Sequence, residues 1–160
     1  DAKPETLCQF GLLGSLYAEA LNIKNPRVGL MNIGEEEGKG NLQSKATYQL
    51  MKQATYNFVG NAEPREILKD NVDVIVCDGF VGNLLMKNIE AFAKSIAKRG
   101  LIDDFVKRFN YELYGGLPLL GANKVVIIGH GISNEKDIKS MILQEKNIFE
   151  SNITSKLKKE

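Results

Sequence analysis

The sequence predicts an α/β fold of the doubly wound type, with a mostly parallel sheet and helices on both of its faces. Short, continuous apolar runs alternate along the chain with segments of helical periodicity, which is the pattern of strands buried on both faces. Glycine-rich loops follow three of these runs, as expected where strands lead into helices. With 43% hydrophobic residues among 160, the chain is large enough to bury a core.

The first half of the chain is predicted to contain three strands. Pro4 is a residue favoured in the first turn of a helix, and Asn25-Pro26 ends the helical segment that begins there. Pro64 opens a shorter helix in the same way. The expected elements are a helix over residues 4–21, a strand over 28–33, a helix over 41–54, a strand over 56–59, a short helix over 63–70 and a strand over 72–77.

The second half is predicted to contain a helical hairpin, a further buried strand and a closing helix. An amphipathic stretch over residues 84–98 is interrupted at Gly100 and continues to residue 111. A loop over 114–121 precedes a strand over 125–128, and Ser133 or Asn134 can cap a helix that reaches about residue 151. We expect one α/β domain over residues 1–151 and a frayed, basic tail over residues 152–160.

Charge and cysteine content exclude several classes of protein. Lysine and arginine number 21 against 20 acidic residues, so the net charge of +1 gives no drive toward nucleic acid. Cys8 and Cys77 have neither metal-ligand spacing nor the density of a disulfide scaffold, and indicate reduced, buried thiols in a cytoplasmic protein. No stretch resembles a membrane span or a signal peptide, and the single histidine, His130, does not indicate a triad or a metal site.

Three loops are candidates for ligand binding, because ligands of such sheets bind beyond the carboxyl ends of the strands. They cover residues 34–41, 78–83 and 129–134, and each combines glycines with an asparagine near a helix start. Glycines let backbone amides approach an anion, and a helix N-terminus adds partial positive charge, so phosphate is the expected ligand. For any single loop, a tight turn with Asn or Ser as the helix cap is the preferred explanation. Three loops at one edge favour a site.

Lys39, Asn83 and His130 are the side chains expected to converge at that site. The first loop is not a P-loop, because its glycine spacing is too short and Gly40 replaces the Mg²⁺-binding Ser or Thr, and no dinucleotide fingerprint is present. We therefore predict neither cofactor nor metal. The Glu35-Glu36-Glu37 run is either a solvated loop or an ion-pair partner that positions Lys39. The further predicted binding residues are Gly38, Gly40, Asn41, Asp78, Gly79, Gly82 and Asn134.

The sequence resembles the bacterial phosphate:acyl carrier protein acyltransferase family over nearly its whole length. The residues that carry the resemblance are Asp1 to Glu5, Asn25 to Gly40, Phe58 to Asn61, Val76 to Asn83, Tyr114 to Gly116 and His130-Gly131. It implies a fold like that of isocitrate dehydrogenase and phosphotransacetylase. It also implies transfer of a fatty acyl group from acyl carrier protein to inorganic phosphate for phospholipid synthesis, by a homodimer that associates peripherally with the membrane.

Loops and resemblance together indicate direct attack of phosphate on a thioester. Lys39 would attract phosphate with the amides of Gly40 and Asn41, and Asn83 would donate to the thioester oxygen. His130 and Asn134 would line the cleft, and Asp78 would fix loop geometry. Compared with the family, the chain resembles the C-terminal half alone, and its hairpin is short.

Two alternative functions stay open from the sequence. The first is a phosphotransacetylase-like enzyme with an acyl-CoA donor, and the second is a non-catalytic fragment that dimerises through the hairpin. A carrier-protein donor would require a basic patch, for which the candidates are Lys94, Lys98, Arg99, Lys107 and Arg108. The residues expected in a dimer interface are Ile89, Phe92, Ile96, Leu101, Ile102, Phe105 and Phe109.

Overall fold

The computed structural model of the chain describes residues 2–109, 115–131 and 133–157. The α-helices are α1 (Pro4–Ala20), α2 (Leu42–Met51), α3 (Gly79–Lys98), α4 (Asp104–Lys107), α5 (Glu135–Glu150) and α6 (Ile153–Leu157). The strands are β1 (Val28–Met31), β2 (Phe58–Ala62), β3 (Val74–Val76), β4 (Gly116–Pro118) and β5 (Ile127–Gly129), and a 3₁₀ helix covers Pro64–Leu68. Two compact units are present, the first ending at Gly82 and the second beginning at Asn83.

The first unit contains a three-stranded parallel sheet in the order β2-β1-β3. The central strand β1 is buried because it has a neighbour on each side, whereas the edge strands are only partly covered. Helices α1 and α2 pack against each other, and α1 also contacts β3. The core residues are Leu7, Val28, Leu30, Met51 and Val76. This arrangement confirms the predicted α/β class, with a parallel sheet flanked by helices.

Helix α1 lies close to the sheet because small residues occur on its inner side. Pro4 occupies its first turn, as predicted, and buried residues follow three or four positions apart at Leu7, Gly11, Ser15 and Ala18. At Gly14, an added Cβ atom would lie 2.6 Å from the Val74 side chain. A larger residue there would push α1 away from β3.

An ion pair joins the beginnings of β1 and β3. The Arg27 side chain donates from Nε and Nη2 to the two carboxylate oxygens of Asp73, at 2.9 and 3.0 Å, and the Arg27 backbone amide adds a third bond of 2.8 Å. Paired hydrogen bonds of this kind fix orientation as well as distance. The pair therefore secures the alignment of the central strand with its neighbour.

The second unit contains a short antiparallel pair of strands rather than a further parallel strand. Strand β5 pairs with β4, with Leu117 opposite Ile128. The prediction that the segment near residues 125–128 is a buried parallel strand is therefore wrong, and the predicted loop over 114–121 contains β4. Helix α5 packs against both strands, and Asn134 caps it as predicted.

The predicted helical hairpin is present only in part. Helix α3 begins five residues earlier than expected and ends where Gly100 adopts a positive φ of 78°. The second segment is helical only over Asp104–Lys107, capped by Asp103. Residues 110–114, which include Tyr111 and Tyr114 of the predictions, lie outside the described residues.

The C-terminal tail contains a short helix. Helix α6 covers Ile153–Leu157, and Ile153 is buried at 3% exposure. This part of the chain was expected to be frayed, but it is helical. The last three positions lie outside the described residues. The single domain expected over residues 1–151 stays a prediction.

Candidate functional site

The candidate site begins at the carboxyl edge of the parallel sheet, in the first unit. The loop over residues 34–41 connects β1 to α2, and the turn at Asp78 connects β3 to α3. Because β1 and β3 are adjacent and parallel, both connections leave the same edge, where ligands of α/β sheets bind. Two of the three predicted loops therefore share one edge of one sheet.

Lys39 is exposed in the first of these loops, and two of the three acidic residues before it, Glu35 and Glu37, have partners elsewhere. Glu35 accepts from Arg65 at 2.9 Å. Glu37 accepts from Gln49 at 2.9 Å and from Lys52 at 3.2 Å, and these contacts, with Gln49 the stronger, hold the pKa of the Glu37 carboxyl below its ordinary value. Among the described residues, no ion pair includes Lys39. The prediction that the acidic run positions Lys39 by an ion pair is wrong.

Gly40 and Asn41 lead the loop into α2. Gly40 has a positive φ of 91°, a conformation in which an L side chain is strained. The Asn41 side chain accepts hydrogen bonds from the backbone and hydroxyl groups of Ser44, at 2.8 and 2.9 Å, and so caps α2. The side-chain oxygen of Asn41 is therefore used in capping α2. Gly38 is exposed, with open space at its Cβ position.

Asp78 is the residue that starts α3. Its carboxylate accepts from the backbone amides of Phe80 and Val81, both at 2.9 Å, and its backbone oxygen accepts from Gly82 at 3.0 Å. Gly79 and Gly82 therefore belong to the first helical turn rather than to a loop. These contacts support the expectation that Asp78 fixes local geometry.

Asn83 lies one turn inside α3, where its side chain is exposed. The suggestion that Asn83 caps the helix is therefore wrong, because Asp78 already occupies the capping position. Among the described residues, no hydrogen bond uses the Asn83 amide group. Its side chain is available for another partner.

Cys77 lies between β3 and this turn, in surroundings that do not favour a nucleophilic thiolate. Burial raises the pKa of its thiol, and the neighbouring Asp78 carboxylate raises it further. A thiol held in its protonated form is a poor nucleophile at neutral pH. Cys8, the other cysteine, is also half-buried and unpaired.

The third predicted loop follows β5, in the antiparallel pair of the second unit. The expectation that all three loops leave one parallel sheet is therefore wrong for His130 and Asn134. His130 is exposed, and its backbone amide donates to the Ser133 hydroxyl at 3.0 Å. Asn134 and Asp137 form a reciprocal capping box at the start of α5. Ile132, within this loop, lies outside the described residues.

Four residues that shape the first loop were missed from the sequence: Asn32, Asn61, Arg65 and Lys52. Asn32 is buried at 7% exposure, and a polar residue directly after a buried apolar run is the signal that was available for it. The other three contact the loop from β2, the 3₁₀ helix and α2. Their roles depend on contacts between residues far apart in sequence.

Neither metal-binding clusters nor membrane-spanning helices are found in the part of the chain that the structure describes. No group of three or more His, Cys, Asp or Glu side chains there is arranged to hold a metal ion. None of the described helices is both long and apolar enough to cross a bilayer.

Comparison with known proteins gives consistent matches. Residues 1–156 match the family described as "Fatty acid synthesis protein". Proteins named "Phosphate acyltransferase" from Clostridium acetobutylicum and Desulfitobacterium hafniense are 41% and 44% identical to the chain, and each alignment covers 100% of the chain and 54% of the relative. The protein of that name from Aquifex aeolicus is 44% identical over 98% of the chain and 52% of its own length.

The chain thus spans about half the length of the curated relatives that it matches. The alignment with the Clostridium acetobutylicum protein extends over 180 positions, more than the 160 residues of this chain. That relative therefore has additional residues within the aligned region.

Proposed function

Because the chain belongs to the fatty acid synthesis protein family, we propose that it acts in the transfer of an acyl group to inorganic phosphate. One observation carries the proposal: Lys39 is exposed on a glycine loop at the carboxyl edge of a parallel sheet and has no ion-pair partner among the described residues, an arrangement that favours anion binding. The names of the relatives supply the reaction class. Such chemistry needs a bound phosphate and a group that stabilises the developing oxyanion.

The proposed reaction is a direct displacement. A phosphate oxygen bonds to the carbonyl carbon of a thioester, the C–S bond breaks, and the thiolate leaves to take up a proton. Lys39 orients the phosphate, helped by the amides of Gly40 and Asn41. Asn83 donates its side-chain amide to the carbonyl oxygen as that atom gains charge. His130 and Asn134 are proposed as secondary contacts to substrate.

The proposed acyl donor is acyl carrier protein, and the proposed product is an acyl-phosphate for phospholipid synthesis. The support is an exposed set of cations on α3 and α4 and directly after each of these helices: Lys94, Lys98, Arg99, Lys107 and Arg108. Carrier proteins are acidic, and complementary charge accelerates association. An acyl-CoA donor is the competing possibility, and it does not require this surface.

The proposed assembly is a homodimer in which a second copy covers the apolar side chains of α3 and α4. No residue of α3 is buried within the described chain, and Phe92 and Leu101 are 70% and 65% exposed. Apolar groups exposed in this number favour a partner surface. Sedimentation at micromolar protein should give a dimer. A monomer that binds anionic lipid vesicles would instead assign this face to peripheral membrane contact.

The decisive experiment is a steady-state assay of acyl-phosphate formation with the protein at its natural full length. Lys39→Ala should raise the phosphate KM by about tenfold or more, because a charge-assisted contact is lost, and should also lower kcat. Lys45→Ala, which removes another exposed lysine from α2, is the matched control and should leave both constants near wild type.

Comparison of donors separates the alternatives. Faster turnover with acyl carrier protein thioesters than with acyl-CoA supports the proposed donor, and the reverse preference supports a phosphotransacetylase-like enzyme. Absence of acyl-phosphate with either donor, in protein that is folded and dimeric, would leave a non-catalytic dimerising role.

A further inference from the structure

A pair of asparagine side chains lies beneath the glycine loop. Asn32 directly follows β1, and Asn61 belongs to β2, where it is paired with Leu30. The Asn32 side-chain amide donates to the Asn61 side-chain oxygen at 3.0 Å and to the backbone oxygen of Lys39 at 3.1 Å. The Asn61 side-chain amide donates to the backbone oxygen of Glu36 at 2.8 Å. The two side chains therefore connect two adjacent strands to two points of one loop.

Asn32 is itself held in place. Its side-chain oxygen accepts from the backbone amide of Ile33 at 2.9 Å, and its own backbone amide continues the strand pairing by donating to Ala62 at 2.9 Å. It is 7% exposed. A buried amide with several satisfied hydrogen bonds is rigid, so it defines the position of whatever it binds.

The loop approaches Asn32 so closely that only glycine fits at position 40. A Cβ atom added there would lie 2.5 Å from the Asn32 side-chain oxygen and 2.9 Å from its nitrogen. This close approach and the positive φ of Gly40 give the same restriction independently. The loop is therefore seated on the asparagine pair rather than merely near it.

The hydrogen bonds to this pair determine where the neighbouring amides point. In a planar trans peptide, the C=O and N–H groups point in opposite directions. Since the Lys39 and Glu36 carbonyls are held toward the asparagines, the N–H groups of Gly40 and Glu37 in the same peptides point away from them. Among the described residues, neither N–H group donates a hydrogen bond. The N–H groups of Glu37 and Gly40, which precede and follow Lys39 in the loop, therefore point away from the asparagine pair.

We infer that Asn32 and Asn61 are positioning residues, which hold the loop so that Lys39 and the outward amides bind inorganic phosphate together. The inference rests on the proposed function and adds to it the residues that give the loop its binding geometry. Asn61 is the better position to test, because it is less buried than Asn32 and its side chain forms two hydrogen bonds rather than three.

The test compares Asn61→Ala with Asn57→Ala in the protein at its natural full length. Asn57 provides a matched control, since its side-chain amide also donates to a backbone oxygen, that of Asn25 at 3.3 Å, away from the glycine loop. The measured quantities are the phosphate Kd by titration calorimetry with inorganic phosphate, the KM for phosphate and for the acyl donor, kcat and the melting temperature.

Asn61→Ala removes the bond to Asn32 and the bond to the Glu36 carbonyl, of which the second holds the loop directly. It should raise the phosphate Kd and KM by about fivefold to tenfold, the effect of losing that orienting bond. The acyl-donor KM should stay within about twofold, since Asn61 acts through the loop. Asn57→Ala should leave the phosphate constants unchanged. In a Lys39→Ala background, the added effect of Asn61→Ala should shrink, because both changes affect one binding unit.

A purely structural role predicts different results. It would lower the melting temperature and the fraction of active protein while leaving the phosphate Kd of the folded fraction unchanged, and that outcome would overturn the inference. If Asn61→Ala fails to fold, Asn61→Ser supplies the same comparison, because its hydroxyl is too short to reach Glu36. Wild-type protein that does not bind phosphate would refute the proposed function as well. Phosphate binding that depends on Lys39 but not on Asn61 would refute this inference alone.

Discussion

Replacement of Asn83 and Asp78 separates the chemistry of the α3 terminus from its folding. Asp78 caps the helix through two hydrogen bonds of 2.9 Å to backbone amides, whereas Asn83 is exposed one turn further on and forms no such contact among the described residues. The two residues therefore contribute to different quantities. One should affect stability, and the other should affect rate.

The magnitudes follow from these positions. Loss of the cap in Asp78→Ala should cost about 1 kcal/mol, which lowers the melting temperature by about 2–4 °C for a protein of this size or larger. Asn83→Ala replaces an exposed helical residue with a better helix former, so stability should stay equal or rise by a few tenths of a kcal/mol. If the Asn83 amide contacts the developing oxyanion, kcat should fall by about a hundredfold or more.

The assay pairs steady-state acyl-phosphate formation with thermal denaturation for each variant. Asp78→Asn should retain the cap and near-normal turnover, because asparagine caps helices as well as aspartate does. Asn83→Ser should lose turnover while it keeps the wild-type melting temperature. Near-normal turnover of either Asn83 variant would refute the oxyanion assignment, and a strong fall in the turnover of Asp78→Asn would show that Asp78 has a chemical role.

Three further changes test the surroundings of the glycine loop and the sheet. Lys52→Ala removes the cation paired with the Glu37 carboxylate but leaves its hydrogen bond from Gln49, so the phosphate KM should rise by about twofold to threefold at low salt, and the effect should vanish at high salt in the same assay. Gly40→Ala forces a side chain into positive φ and should cost about 1–3 kcal/mol in denaturant unfolding. Hydrogen bonds from Arg27 hold the pKa of Asp73 below its ordinary value, so this pair stabilises the fold at neutral pH and the contribution is lost as the pH falls through that lowered pKa. Asp73→Asn should therefore lower the melting temperature at neutral pH and have little effect at a pH below that lowered pKa.

Structural features that depend on a single turn of the chain, such as helix starts and helix caps, were predicted reliably from the sequence. Pro4 and Pro64 begin helical segments, and Asn41 and Asn134 cap helices, because each residue satisfies or removes backbone donors within its own turn. The alternation of apolar runs with helices also gave the α/β class, since strands without polar positions are typical of covered parallel sheets.

Structural features that depend on strand pairing, such as strand direction, were predicted poorly. The run near residues 125–128 looks like a buried parallel strand, but three or four apolar residues carry no information on strand direction. Strand β4 was missed because Pro118 and the adjacent glycines resemble a loop. At the α3 start, Asp78 and Asn83 are both capping residue types, and the glycines between them disfavour helix on propensity alone. The cap at Asp78 overrides that preference.

The candidate site shows the same division. Lys39 and its glycines were selected as candidates because the residue types suit an anion, and that assignment stays a prediction, but Glu35 and Glu37 were assigned the wrong partner. Their cations come from the 3₁₀ helix and from α2, and only the fold brings those elements to the loop. The Asn32–Asn61 pair likewise depends on the register between β1 and β2, which brings together two residues that are 29 positions apart in sequence.

The arrangement of charge around the loop explains how an acidic segment can lie next to a proposed phosphate-binding site. Three consecutive glutamates before Lys39 would repel phosphate if their carboxylates faced it, and exposed charges act over about 10 Å at moderate salt. Arg65 pairs with the Glu35 carboxylate and Lys52 with the Glu37 carboxylate, so two of the three acidic charges have a cation beside them. Lys39 has no such partner among the described residues and keeps its full charge for a ligand. Reversal of the Arg65 charge would test this account: Arg65→Glu should weaken phosphate binding by the folded protein more than Arg65→Ala does. Because Arg65 also contacts Glu63 and Glu66, Arg65→Glu should have the lower melting temperature of the two variants. Equal phosphate Kd values for the two folded variants would show that the paired carboxylates do not influence the site.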